Sequence, residues 1–359
     1  MISDGLNRNF STVSKDFVGI ESRVNEIMTL LSIGSDDVRF IGICGMGGIG
    51  KTTLSTAIFE RVHDRFEASC FIEEARSHSL VNLQKQLISQ ILKDGEINIW
   101  NSNDATRVIV NRFRNKRVLI VLDDMDAEEQ IEALAGSHDW FGQGSRIIIT
   151  SRDRHLLNRS SVNNIYDVKM LYGDEALELF SKKAFKKPQP EKNYVELSKD
   201  IVSYAEGLPL ALKVFGSMLF GRKMDAWKSA RDLLKEYPYA EILDKLQISY
   251  DGLMEYRQKQ LFLDIAFFFV GADMDSIKDI LESFGYYPDF DIKVLEDKSL
   301  ITISNKRLWM HDLLQKMGQK IVRSEFPEEP GKRSRLCHNQ DVIQVLKNDS
   351  VSGLVQAQT

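Results

Sequence analysis

The sequence predicts an α/β domain built on a parallel sheet, followed by a helical bundle and then by helices with one β-hairpin. Three observations carry this. Up to about residue 170, short apolar runs alternate with segments of helical spacing, the order that gives parallel strands joined by right-handed crossovers. Beyond that point the strand signal fades and helical spacing takes over. One β-rich stretch, residues 299–309, returns late in the chain around the turn Ser304-Asn305-Lys306.

The elements follow in order. Residues 1–16 are polar and read as a linker; structure begins at Phe17-Val18-Gly19, with a helix over 21–31. Residues 39–44 are a short apolar strand that runs into glycines, 52–62 a helix, and 69–72 a strand. Leu83, Leu87, Ile88, Ile91 and Leu92 recur at helical spacing. A basic stretch, 112–117, leads into Val118-Leu119-Ile120-Val121-Leu122, wholly apolar and bounded by charge. Such a run suits a central parallel strand covered on both faces. Residues 145–150 form a similar strand, and 165–168 the last. Helices are expected over 175–185, 194–205, 210–219 and 227–234, with Pro188 and Pro190 separating the first two. From residue 242 helices resume, and with the hairpin they fit a winged helix. The apolar stretch 261–270 carries Asp264 and reads as a buried core helix. The expected parts are thus 17–170 (sheet domain), 171–238 (helical), 239–335 (winged helix) and 336–359 (tail). No repeat at the roughly 20–50-residue period of solenoids is visible.

Composition narrows the function. With 359 residues, 43% hydrophobic and 28% charged, the chain is ordinary globular protein. A net charge of -5 argues against a dedicated nucleic-acid binder. Cys44, Cys70 and Cys337 are far apart and odd in number, which argues against a disulfide framework or a zinc site and fits a reducing compartment. The glycosylation sequons at Asn9, Asn158 and Asn348 read as chance matches without a secretory signal. No apolar run is long enough for a bilayer. A cytoplasmic or nuclear location is expected, not a secreted one.

The strongest motif is Gly45-Met46-Gly47-Gly48-Ile49-Gly50-Lys51-Thr52, with a strand before it and a helix after. Its glycines let backbone N–H groups turn around a phosphate, Lys51 brings charge to β- and γ-phosphates, Thr52 offers a hydroxyl to Mg2+, and the helix N-terminus adds its dipole. On the order of 0.01 chance matches are expected in a chain of this length. The sheet is therefore expected to be that of a P-loop NTPase. Asp123 and Asp124 end the central strand. Asp123 would hold Mg2+, directly or through water, and Asp124 could orient or deprotonate a water for hydrolysis. Either could instead be a solvated strand end or a helix cap, but the preceding phosphate loop favours the site. Arg152, after the next strand, can sense a γ-phosphate or pair with a neighbour such as Asp153; the sequence leaves both open. His311 alone would more often be structural.

Together these motifs resemble the NB-ARC module of plant nucleotide-binding leucine-rich-repeat receptors, over about residues 17–347. The phosphate loop continues through Thr53-Leu54, 119–124 resembles the second kinase motif, 144–152 the sensor strand and 207–212 (Gly-Leu-Pro-Leu-Ala-Leu) the GLPLAL motif. Residues 262–266 and Met310-His311-Asp312 match the two late motifs. Asp126 and 262–266 are typical of the class with an N-terminal TIR domain. Ser151, Phe267 and Cys337 are mild departures. The resemblance implies an ADP or ATP switch, ADP-bound off and ATP-bound on, which controls oligomerisation and defence signalling. It places Val18, Gly19 and Pro209 beside adenine and ribose, and has His311 reach the β-phosphate of ADP. It implies TIR and leucine-rich-repeat domains in a full receptor, absent here, and a homo-oligomer on activation. NAD cleavage is not expected of this chain, since no TIR domain precedes residue 1. Two other classes compete: a turnover ATPase, at most a slow one, and a DNA-binding winged helix. The basic footprint for the latter, Lys332, Arg333 and Arg335, reads as a solvated positive face.

Overall fold

A computed structural model describes residues 18–93, 99–236, 239–336, 339–347 and 356–357. The expected linker 1–16, Cys337, the sequons at Asn9 and Asn348, and half of the expected tail lie outside the described residues. The chain forms two compact units, one of Met1–Ser198 with Gly207–Gly221, the other of Lys199–Glu206 with Arg222–Thr359. Residues 171–198 and Gly207–Gly221, expected in the helical part, group by their contacts with the first unit.

In the first unit, α1 (Ile20–Leu31) precedes β1 (Arg39–Cys44) and α2 (Lys51–Val62). Next come β2 (Ala68–Ile72), α3 (Leu80–Leu92), α4 (Ser102–Phe113), β3 (Val118–Met125) and α5 (Glu128–Ala135). Then come β4 (Arg146–Ser151), α6 (Arg154–Arg159), β5 (Asn164–Asp167), α7 (Asp174–Ala184), α8 (Val195–Tyr204), whose residues from Lys199 on belong to the second unit, and α9 (Pro209–Leu219). Every pairing in the sheet is parallel, in the order β2-β3-β4-β1-β5. Val118 to Leu122 are fully buried, as expected of a strand covered on both faces. The expected strands are all present within a few residues. The sequence reading missed α4, α5 and α6. Helix α4 buries only Ala105, Ile109 and Phe113 beneath a polar surface, and α6 is barely longer than one turn.

Arg146 fixes how α1 meets the sheet. It is fully buried and donates to the carbonyls of Leu31 and Asp37, to Ser32 O at 2.8 Å and to Ser35 Oγ at 2.7 Å. A buried guanidinium survives there because its donors are matched with acceptors.

In the second unit, α10 (Met224–Glu236), α11 (Ala240–Asp251) and α12 (Tyr256–Asp264) lead into a π-helical turn, Ile265–Phe269. The sequence predicted one continuous helix here. The Ala266 carbonyl accepts a hydrogen bond from Gln315 Nε2 at 2.9 Å, and a side chain inserted in the ladder is a usual cause of such a break. Two more helices, α13 (Met274–Ser283) and α14 (Pro288–Asp297), precede the hairpin β6 (Thr302–Ser304) and β7 (Arg307–Trp309). Its turn residues Asn305 and Lys306 both have positive φ, as a tight two-residue hairpin requires. Helix α15 (Asp312–Glu325) comes next.

Two of the three residues of the basic footprint are not on a solvated face, while Lys332 is exposed. Arg333 and Arg335 are 3% and 4% exposed. Arg333 pairs with Asp341 at 2.7 Å and Arg335 with the buried Asp264 at 2.6 Å. Lys332 pairs with Glu329. The two arginines are buried in ion pairs and carbonyl contacts, so of this footprint Lys332 alone is exposed to a duplex.

Candidate functional site

The strand register aligns the site. Cys44 at the end of β1 lies opposite Ser151 of β4, and Ser151 lies opposite Met125 of β3. Three adjacent strands thus deliver the glycine loop, Arg152 and the aspartate pair to one edge of the sheet, where open α/β sheets bind ligands.

Gly48 has φ +80°, and a Cβ on it would lie 2.7 Å from the Leu210 Cβ. The Leu210 N–H donates to the Gly48 carbonyl at 3.1 Å, so the loop is tied to α9 where only glycine fits. Gly45, Gly47 and Gly50 complete the turn. Among the described residues no side chain caps α2, so its first amides are left to other acceptors. Lys51 is buried and donates to the carbonyls of Gly45 at 2.7 Å and Met46 at 3.1 Å. Burial, with Arg152 nearby, pushes its ammonium down to about 8. A buried cation bonded to neutral carbonyls is favourably disposed to an anion.

Thr52 Oγ1 donates to Asp123 Oδ2 at 2.8 Å, and Thr150 Oγ1 to Asp123 Oδ1 at 2.6 Å. Burial raises the Asp123 carboxyl above its ordinary range, opposed by these two hydroxyls. The β3–β4 pairing shifts between Leu122 and Met125. This bulge turns Asp123 and Asp124 out of the ladder, with Asp124 at φ +56° and its N–H on Thr150 Oγ1 at 2.9 Å. Arg152 Nε donates to Asp124 Oδ1 at 3.3 Å. The neighbour Asp153, weighed as its partner from sequence, caps α6 by accepting from the Leu156 N–H. Physically, a helix N-terminus claims that carboxylate. Arg76 Nε lies 3.3 Å from Asp124 Oδ2 and 3.4 Å from Asp126 Oδ2.

One cavity is lined by Val18, Gly19, Ile49, Gly50, Thr53 and Pro209, all expected at the site. Arg23, Leu171 and Lys213 also line it and were missed. Arg23 binds the carbonyls of Gly19 and Met170 and the Glu175 carboxylate, which joins α1, the segment after β5 and α7 around the cavity. Gly207 has φ +74°, and a Cβ there would meet the Leu171 carbonyl oxygen at 2.0 Å. These residues fit a nucleotide: an apolar cavity, a glycine cradle, a buried lysine and the hydroxyl–carboxylate pair Thr52–Asp123, whose hard oxygens suit Mg2+.

His311 lies in the second unit. Its Nδ1 accepts from the Leu313 N–H at 3.1 Å, so the neutral ring carries its proton on Nε2. That buried Nε2 has no hydrogen-bond partner among the described residues. Burial pushes the ring down to about 4 despite Asp312 and Glu206 nearby.

Arg76 and Thr150 are functional candidates that sequence reasoning passed over. Arg76 lies just past β2 and Thr150 near the end of β4. Position at the C-terminal edge of a parallel sheet was the signal that could have found them.

Comparison with known proteins agrees with this geometry. Residues 20–190 match the family model described as the NB-ARC domain. Residues 255–326 match that of the winged-helix domain of Roq1-like disease resistance protein. TMV resistance protein N of Nicotiana glutinosa is 43% identical over 99% of this chain and 32% of its own length. Disease resistance protein RUN1 of Vitis rotundifolia is 43% identical over 96% of this chain and 26% of its own length. The chain therefore spans about a third or less of these relatives. A Walker-type ATPase of Pyrococcus abyssi superposes with a TM-score of 0.52 at 16% identity, over 85% of this chain and 97% of that one, a likeness of fold alone.

Proposed function

Because this chain belongs to the NB-ARC family, we propose that it is the ADP/ATP-dependent switch of a longer plant disease resistance protein, held off by ADP and turned on by ATP. The single observation that carries the reading is the buried Lys51 beside the Thr52–Asp123 pair at one edge of the sheet. Lys51, the loop amides and the N-terminus of α2 bind the phosphates; Thr52 and Asp123 hold Mg2+, which neutralises phosphate charge; Val18, Gly19 and Pro209 enclose the base. Arg152 exchanges Asp124 for a γ-phosphate oxygen. Asp124 accepts the proton of a water whose oxygen bonds to the γ-phosphorus as the bond to the β–γ bridging oxygen breaks. Assembly and signalling then belong to the full receptor, in the cytoplasm or nucleus, with its TIR and leucine-rich-repeat domains.

The test is the nucleotide that co-purifies with the chain, identified by mass spectrometry, with titration calorimetry on the emptied protein. ADP or ATP bound in about one copy per chain supports the reading. A chain that purifies empty and binds neither up to about 1 mM, a barely specific affinity, overturns it. A steady-state rate well above about one per minute would favour a turnover enzyme over a switch.

His311 is proposed as the off-state contact, donating its spare Nε2–H to the β-phosphate of ADP. Such a charge-assisted bond contributes about 1.5–3 kcal/mol. His311→Ala and Asp312→Val are expected to speed ADP release roughly 10- to 100-fold, read with a fluorescent analogue. Off-rates within about twofold of wild type for both sink the latch.

A further inference from the structure

Asp124 does not stand alone with Arg152. Its second carboxylate oxygen faces Arg76, and Arg76 is itself shared with Asp126, so that acid and base alternate along Arg152, Asp124, Arg76 and Asp126. The turn that carries Arg76, Ala75–Ser77, is anchored twice: Ala75 is fully buried, and its carbonyl accepts from Gln130 Nε2 at 3.5 Å. Gln130 also accepts from the Asp126 N–H at 3.4 Å, which ties both ends of the Arg76–Asp126 pair to α5. The Arg76 Nε has no well-aligned hydrogen-bond partner among the described residues. It is held between two carboxylates by charge and by its anchored turn.

Asp124 needs this support. It sits in a left-handed conformation inside a strand bulge, where the ladder no longer fixes its direction. Arg152 holds one oxygen, but the same arginine is the group expected to turn to a γ-phosphate. Once it does, Arg76 is the cation left on Asp124. A carboxylate has about four lone-pair sites, so an ion pair with Arg76 leaves room to accept a water proton.

We infer that Arg76 is a positioning residue of the hydrolytic site, which holds Asp124 toward the attacking water, and that Asp126 serves by fixing Arg76. This rests on the reading of Asp124 as the proton acceptor. It also gives Asp126, used in the sequence only as a mark of subclass, a physical partner.

The experiment is single-turnover hydrolysis of Mg2+-ATP by the purified chain, with ADP affinity measured alongside. Arg76→Ala is expected to slow hydrolysis about tenfold, the scale of one partly buried charge contact, while ADP affinity stays within about twofold. Arg76→Lys recovers part of the rate. Arg76→Ala with Asp124→Ala hydrolyses no slower than Asp124→Ala alone, because Arg76 acts through Asp124. Asp126→Asn slows the reaction less than Arg76→Ala and serves where the latter folds poorly. A wild-type rate in both Arg76→Ala and Asp126→Asn, or a double variant clearly slower than Asp124→Ala, overturns the inference. A wild-type rate in Asp124→Ala overturns instead the reading of Asp124 on which it rests.

Discussion

Lys51→Ala is expected to lower affinity for both ADP and ATP by roughly 100-fold or more in titration calorimetry. The ammonium is buried against the Gly45 and Met46 carbonyls, which are neutral acceptors. Phosphate oxygens replace neutral partners with charged ones, and each charge-assisted bond contributes about 1.5–3 kcal/mol. Two such bonds exceed about 2.8 kcal/mol, which is about 100-fold. Lys51→Arg fails similarly, since a planar guanidinium does not enter the space between two loop carbonyls as a compact ammonium does. The emptied variant should melt no lower than emptied wild type, because the substitution removes a cation that burial already disfavours. Unchanged nucleotide occupancy in purified Lys51→Ala would exclude this role.

Asp124→Ala and Asp123→Ala are expected to part company. Asp123 is 2% exposed, with each oxygen on a threonine hydroxyl, one of them Thr52. That geometry suits holding an ion in place and leaves little access for a water proton. Asp124 is turned out by the bulge and is only partly buried. Removing a general base typically costs about 10²- to 10⁴-fold. Asp124→Ala should therefore bind ATP normally and hydrolyse it slower by that factor in single turnover, so that ATP accumulates on the protein. Asp123→Ala should instead weaken the Mg2+ dependence of binding, seen by titrating Mg2+ at fixed ATP. Identical behaviour of the two variants would mean that the roles are not divided this way.

The phosphate loop, the strand–helix alternation around it and the helix-rich later part were legible because each is a local pattern. Gly-xxxx-Gly-Lys-Thr between an apolar run and a helix states its own geometry, and Val118 to Leu122 declare a buried strand by lacking polar residues. Boundaries were legible for the same reason: β1 begins and ends where its apolar run does. Short polar helices such as α6 left no such trace.

Charge was the part the sequence could not place. Arg333 and Arg335 read as part of a solvated face, yet both are buried, because carbonyls and carboxylates converge on them, for Arg335 from as far along the chain as Asp264. Arg152 pairs with Asp124, distant in sequence, and Arg76 joins the same carboxylate from the turn beyond β2. Periodicity and motif spacing are properties of neighbours along the chain, so the sequence by itself determined the fold class, the family resemblance and the phosphate loop. Ion pairing depends on which distant groups the folded chain brings within a few ångströms and how far water is excluded from them. Only the tertiary structure decided that at the acidic end of β3 one carboxylate is buried on two threonine hydroxyls, while the other is turned outward between two arginines.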